Sequence, residues 1–116
     1  MSFAHHVTIE ARCTKRWRGA NFDAATAEGN VGAAVAATLG MSVRTSAHLE
    51  AFLRKAFVRA YGAGLAPNPN QEFDISEGEA FAFHIGLREA VDEATLARIE
   101  TAAREAVATS RHFVLV

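Results

Sequence analysis

The sequence has little cysteine, proline or tryptophan, and it has no long apolar run. Cys13 is its one cysteine among 116 residues, which excludes an intrachain disulfide and a metal site built from several cysteines. No apolar segment approaches the roughly 20 residues that a transmembrane helix needs. The first six residues lack the basic and apolar regions of a signal peptide. We therefore expect a cytoplasmic protein that makes no contact with a membrane.

An excess of charge of one sign is also absent. Twelve basic and 13 acidic residues give a net charge of −1, whereas a domain that binds phosphate backbones is usually strongly basic. Half of the residues are hydrophobic and eight are Phe, which is typical of a globular chain and not of a disordered one. This length suits one domain. We predict a single domain over residues 1–116 and no nucleic-acid partner.

The common catalytic and cofactor motifs are missing as well. The chain has no glycine-rich loop with nucleotide-binding spacing, no H-E-x-x-H and no G-x-S-x-G. Isolated Ser, His and Asp residues do not define a catalytic triad by their spacing alone. The sequence therefore predicts no cofactor, assigns no catalytic residue and leaves open whether the protein is an enzyme.

Regular alternation of apolar and polar residues predicts a strand over residues 6–14. A period of two is typical of a strand with one buried face. One side of this strand carries Val7, Ile9, Ala11 and Cys13, and the other carries His6, Thr8, Glu10 and Arg12. We therefore interpret Cys13 as an inert core residue, and the basic segment 15–21 as a continuation of the strand or a turn.

Helical patterns follow in two segments. Residues 22–40 are expected to be helical with an interruption at Gly29 and Asn30, after which Asn30 caps residues 31–39 and Gly40 ends the helix. Thr45 or Ser46 then caps a helix that extends to about residue 61, because apolar residues recur there at a spacing of three and four. Two prolines at 67 and 69 predict an exposed loop.

The second half of the chain predicts two strands, a helix and a final strand. Residues 72–75 and 81–87 are expected to pair through a hairpin at 76–78. Asp92 caps a helix over residues 93–109, and residues 112–116 form the last strand. The resulting order, β-α-α-β-β-α-β, predicts an α+β two-layer sandwich, in which a mainly antiparallel sheet has its helices on one face.

Histidines recur on the strand face opposite the core. Six residues are candidates for ligand binding on this open face: His6, Glu10, Arg12, His84, Arg88 and His112. Solvent exposure or a dimer contact is the leading interpretation of the face, and a small-molecule pocket is the second. No metal site is favoured, but His6, His84 and His112 would supply it, since three imidazoles with an open fourth position suit zinc or iron.

Two hypotheses about function follow from this face. The first is a homodimer that binds a small ligand or has a non-catalytic role. The second is a small enzyme with an acid–base or metal site on the open face, because histidine titrates near neutral pH. Perturbed histidine pKa values or metal-dependent shifts would distinguish the second hypothesis from the first.

One stretch of the sequence resembles a known family. The run from Glu28 to Asn30, followed by residues 32–41, is similar to the central helix of the osmotically inducible, organic hydroperoxide resistance family, and residues 17–19 resemble an early feature of it. The chemistry of that family needs one cysteine on this helix and one on a later helix. Thr38 stands near the first position, and the third predicted helix has no cysteine. The resemblance therefore implies a relative without the family's cysteines and without its thiol peroxidase activity.

Overall fold

The computed structural model describes residues 3–19, 22–62 and 73–116. Its helices are α1 (Phe22–Thr38), α2 (Ser46–Leu53) and α3 (Glu93–Ala108). Its strands are β1 (His5–Cys13), β2 (Trp17–Gly19), β3 (Ala56–Gly62), β4 (Phe73–Ile75), β5 (Ala80–Leu87) and β6 (Phe113–Leu115). The loop predicted around residues 67–70 and the predicted strand start at Glu72 lie outside the described residues.

Four of the strands form an antiparallel sheet in the order β3-β5-β1-β6, and β2 pairs with β4 in a separate ladder. Along the chain, the helices and the strands of the larger sheet follow the order β-α-α-β-β-α-β. Helices α1 and α3 pack on each other and on the same face of this sheet. The predicted α+β architecture, with helices on one face of an antiparallel sheet, is confirmed.

Helix α3 begins where its capping residue predicts. The Asp92 carboxylate accepts a hydrogen bond from the Thr95 amide at 2.7 Å, which satisfies one of the free amides of the first turn. The helix then buries Ile99, Ala103 and Val107 against the sheet and α1. These three residues lie at the spacing of one helix face.

The sheet face under the helices is wholly apolar among the described residues. No polar or charged side chain there is buried, and no buried side-chain nitrogen or oxygen lacks a hydrogen-bond partner. Cys13 belongs to this core at 2% exposure. Burial, followed by the negative charge of Glu79, raises the pKa of the Cys13 thiol to about 11. Its burial confirms the interpretation of Cys13 as a core residue, and a thiol with a raised pKa stays protonated at neutral pH.

The helix predicted to extend to residue 61 is wrong beyond Leu53. Residues 56–62 form β3 instead, which pairs with β5 from Ala56 opposite Leu87 to Gly62 opposite Phe81. Alanines at 56 and 60 fit a helical spacing of four and a strand alternation of two equally well. Pairing with β5 decides between them, since burial against neighbouring strands overrides local propensity.

Helix α1 is continuous, so the predicted interruption at Gly29 and Asn30 is also wrong. A glycine inside a helix costs only about 1 kcal/mol relative to alanine. Burial of Val31 and Val35 offsets that cost. The predicted end is confirmed: Gly40 has a φ of +72°, and its amide donates to the carbonyl of Ala37.

The predicted hairpin between residues 72–75 and 81–87 is wrong. Strand β4 pairs with β2, while β5 pairs with β1 and β3. The turn before β5 is instead held against the end of β1, where the Gly78 amide donates to the Cys13 carbonyl at 2.8 Å. Within the described ranges, no helix is long and apolar enough to cross a membrane.

Candidate functional site

We call the side of the four-stranded sheet opposite the helices the outer sheet face. Its residues form cross-strand rows, because antiparallel register places paired residues on the same side. From one end to the other, the rows are Phe57–Gly86–His6, Arg59–His84–Thr8, Tyr61–Ala82–Glu10 and Ala80–Arg12–Val114. The outer sheet face therefore joins aromatic, cationic and small residues from all four strands.

Two of the predicted histidines meet toward the Phe57 end of this face. The rings of His6 and His84 stack with centroids 5.4 Å apart and an interplanar angle of 13°. The hydroxyl of Thr8 lies 3.3 Å from Nδ1 of His84, and the tautomer of His84 decides which group donates. Imidazole and hydroxyl groups are the kinds of side chain that general acid–base catalysis uses.

His112 does not join this pair. Its carbonyl accepts a hydrogen bond from the Thr14 amide, which places it beyond the other end of β1 from His6. Eight residues of strand separate Thr14 from His6, or roughly 26 Å at about 3.3 Å per residue. Across the described residues, no group of three or more His, Cys, Asp and Glu side chains could hold a metal ion.

Arg88 follows β5 at the His6 end of the outer sheet face. There it packs against the aromatic cover, the name we give to the rings of Phe3 and Phe57. Its guanidinium carbon is 5.1 Å from the centre of the Phe3 ring, and its Nε donates to the Leu53 carbonyl at 3.3 Å. Phe3 in turn packs on Phe57 with ring centroids 4.9 Å apart. The Phe57 ring occupies the space that a side chain at Gly86 would need. Arg88 therefore contributes to packing as well as charge.

A recess lies at the opposite end of the outer sheet face, over Ala80 and Ala82. These two short side chains on β5 stand between Tyr61 on β3 and Glu10 and Arg12 on β1. The resulting cavity has a volume of about 310 Å³, and Val116 lines its far side. It forms because the middle strand has small residues where both neighbouring strands have large ones.

Two charged side chains at the recess belong to the predicted candidates. Nη1 of Arg12 donates to the carbonyl of Gly78 at 2.9 Å, which holds the guanidinium at the edge of the sheet. Glu10 occupies the next outward position on β1, and its carboxylate has no hydrogen-bond or ion-pair partner among the described side chains. The recess is therefore lined by a positioned cation, Arg12, and by a carboxylate, Glu10.

The structure thus divides the six predicted site residues. It brings His6 and His84 together, places Glu10 and Arg12 at the recess, sets Arg88 against the aromatic cover and leaves His112 apart. Sequence reasoning missed Tyr61, Ala80, Ala82 and Val116 as lining residues. Alternating alanines at 80 and 82 were visible in the sequence, but only the strand register shows what stands on either side of them.

A second cavity lies between α1 and α2 and is nearly all apolar. It measures about 190 Å³, and its lining includes Gly32, Ala33, Leu49 and Leu53. The two leucines are 47% and 48% exposed. Among the described residues of its lining, Glu28 is the one charged residue, whereas the recess has both Glu10 and Arg12.

Comparison with known proteins adds no family: no family model, no curated protein and no solved structure matches the chain. The resemblance to the organic hydroperoxide resistance family remains an interpretation of the sequence alone. Near the position where it implies a cysteine, the hydroxyl of Thr38 donates to the carbonyl of Ala34 at 3.0 Å. This side chain therefore caps a carbonyl of its own helix.

Proposed function

We propose that this chain is a non-catalytic, small-ligand-binding domain that works as a homodimer in the cytoplasm, and that its ligand occupies the recess of the outer sheet face. The observation that carries the proposal is the recess over Ala80 and Ala82, with Glu10 and Arg12 at its edge. Its volume of about 310 Å³ lies at the small end of known ligand sites, which span about 300–1,000 Å³.

The charge of the outer sheet face favours a ligand there over a second copy of the chain. Arg12, Arg59 and Arg88 stand on or beside this face, whereas Glu10 is the one carboxylate among the outward strand residues described. Two such faces placed together would bring like charges into contact, which costs binding free energy. A small molecule with an anionic group meets no such repulsion.

The groove between α1 and α2 supports the homodimer. Leu49 and Leu53 line the groove together with Gly32 and Ala33 and remain about half exposed, so one surface offers both large and small apolar side chains. In a twofold dimer each protomer uses the same patch, and its leucines can enter the partner's groove. Exposed apolar patches of this kind commonly mark interaction surfaces.

Sedimentation equilibrium tests the dimer. We expect a solution mass of twice 12.4 kDa for the wild type and a monomer for Leu53→Glu. Val114→Glu introduces the same charge at a similarly exposed position on the outer sheet face, where Val114 is 53% exposed, and should remain dimeric. A monomeric wild type, or a dimer lost only in Val114→Glu, would contradict this assignment.

A screen of small molecules against ¹⁵N-labelled protein tests the ligand site. Binders should shift the amides of residues 10–12, 61–62 and 80–82, and Ala82→Phe should abolish the shifts because its ring fills the recess. Ala97→Phe makes the same change at an exposed position of α3 and should leave binding intact. The proposal fails if no compound shifts the recess amides, or if binding survives in Ala82→Phe.

A small enzyme is the second candidate function, and the stacked His6–His84 pair with Thr8 favours it. Elemental analysis of the untagged protein, with His84→Ala alongside, separates the two candidates. Ligand binding without catalysis predicts that His84→Ala remains folded and still binds ligand. One zinc or iron per chain that disappears in His84→Ala, or loss of ligand-dependent thermal stabilisation in that variant, would replace the first proposal with the second.

A further inference from the structure

We infer that the ligand of the recess is a small zwitterion, with an ammonium and a carboxylate group on a short hydrocarbon frame. This inference rests on the proposed ligand-binding function and names its ligand class. It follows from three features of the recess: a positioned guanidinium, an available carboxylate and exposed apolar walls.

Arg12 supplies the site for the carboxylate. A guanidinium has five N–H donors, and the structure uses Nη1 of Arg12 for the hydrogen bond to the Gly78 carbonyl. That bond orients the group at the edge of the sheet and leaves further donors for a ligand. Guanidinium and carboxylate groups match in geometry, so such pairs are often bidentate.

Glu10 supplies the site for the ammonium. Glu10 is outward on β1 two residues from Arg12, so their backbones are about 6.6 Å apart along the strand. The Arg12 guanidinium is bonded to the Gly78 carbonyl rather than to the Glu10 carboxylate, and both residues line the recess. A simple anion at Arg12 would be repelled by Glu10, and a simple cation at Glu10 would be repelled by Arg12. A molecule that carries both charges is attracted by both residues.

The walls of the recess favour a short hydrocarbon between or beside the charged groups. Tyr61 is 66% exposed and Val116 is 68% exposed, although both are large and apolar in part. A ligand that covers them removes apolar surface from water, which stabilises the complex by about 25 cal/mol per Å². The alanine floor admits the chain of such a ligand without a clash.

Three matched probes test the inference: norvaline, pentanoate and butylamine. Pentanoate lacks the amine of norvaline, and butylamine lacks its carboxylate, while all three have a short alkyl chain. Amide shifts in ¹⁵N-labelled protein give the dissociation constant and the location of binding together. We expect norvaline to bind up to about fivefold more tightly than either single-charge probe, since each additional ion pair at an exposed site is worth up to about 1 kcal/mol.

Two variants test which residue binds each charged group of the ligand. Glu10→Gln should remove the preference for norvaline over pentanoate, and Arg12→Gln should remove the preference for norvaline over butylamine. Glu105→Gln and Arg98→Gln make the same changes at exposed positions of α3 and should leave both preferences intact.

Three results would overturn the inference. They are equal binding of pentanoate and norvaline, equal binding of butylamine and norvaline, and no shift of the recess amides with any of the three probes. If compounds from the broader screen still shift those amides, the inference alone fails and the ligand-binding function stands. If the broader screen is also negative at the recess, both fail.

Discussion

The two faces of the four-stranded sheet are built from alternate residues of the same strands, yet they differ in almost every physical property. On β5, the inward residues Phe81, Phe83, Ile85 and Leu87 are at most 2% exposed. The outward residues of that strand are Ala80, Ala82, His84 and Gly86. On this strand, large apolar side chains fill the inner face, and small or titratable residues occupy the outer face.

This difference assigns stability to the inner face of the sheet and ligand binding to the outer face. An inward side chain is surrounded by partners in its own chain, so its removal leaves a cavity that the packed core cannot fill. An outward side chain such as Glu10 has few partners in its own chain and remains available to a ligand. Substitutions on the two faces should therefore have opposite profiles: loss of stability on the inner face and loss of binding on the outer face.

The largest expected effect comes from neighbouring residues of β5. Phe83→Ala should lower the free energy of unfolding by about 3–5 kcal/mol, because the ring is fully buried. His84→Ala should lower it by much less, about 1 kcal/mol, since it removes a hydrogen bond with Thr8 and the ring contact with His6 on the outer face. Urea unfolding followed by circular dichroism measures both. Losses of similar size would mean that the outer face is part of the core and would erase the distinction.

Gly86 is an outer-face residue at which a substitution should lower stability, as it would in the core. A Cβ there would fall on the Phe57 ring, so Gly86→Ala should cost about 1–3 kcal/mol as the ring is displaced. In the Phe57→Ala background the same change should cost less, which a double-mutant cycle measures. Gly29→Ala is the matched control: it meets open space on α1 and should stabilise the protein by about 0.5–1 kcal/mol. A destabilising Gly29→Ala, or a Gly86→Ala cost independent of Phe57, would contradict this reading of the packing.

The reactivity of the Cys13 thiol tests whether the inner face of the sheet is closed to solvent. The thiol has its pKa raised from 9.0 to about 11 in the fold by burial and by Glu79, so the folded state favours the protonated form. Its contribution to stability is complete below pH 9 and is lost as pH rises through about 11. Alkylation by iodoacetamide at pH 8 should be slow until denaturant unfolds the chain, and Cys13→Ala should show a weaker loss of stability between pH 9 and 11. Rapid alkylation of the folded protein would place Cys13 outside the core.

The smallest expected effect lies at Asp92, an exposed residue away from both sheet faces. Hydrogen bonds from Thr95 lower the pKa of this carboxyl, so the charged form stabilises the start of α3. That contribution is present above the pKa of an unfolded Asp, about 3.9, and it is lost as pH falls through the lower folded value. Asp92→Asn keeps an oxygen that can cap the helix but does not titrate, so its stability should change less between pH 4 and 2. An unchanged acid profile in Asp92→Asn would show that the ionisation of Asp92 does not contribute to stability.

Local patterns predict the elements whose residues fit one period only. The alternation on β1 and β5 and the Asp92 cap of α3 are of this kind, and each is correct to within a residue or two. Residues 46–61 fit two periods, because Ala56 and Ala60 suit a helix spacing and a strand alternation together. There the outcome depends on pairing with β5, a contact that is distant in sequence.

The sequence predicts which side of its strand each candidate residue occupies, but it does not predict which of these residues lie close together. Strand alternation places His6, His84 and Glu10 on the outward side, as observed. It does not give strand order or register, so it cannot show that His112 lies at the far end from His6, or that Ala82 stands between Tyr61 and Glu10. The recess depends on strand register: the alanines at 80 and 82 are visible in the sequence, but the residues that stand on either side of them are not.

Intermolecular NOEs between a bound ligand and alanine methyl groups test the central claim most directly. With ¹³C-methyl-labelled alanine and the tightest ligand from the screen, the outer-face recess predicts NOEs to the methyl groups of Ala80 and Ala82. Ala33 lines the apolar groove between α1 and α2 and serves as an internal reference. NOEs to Ala33 without any to Ala80 or Ala82 would contradict the account and move the binding site to the helix side of the protein.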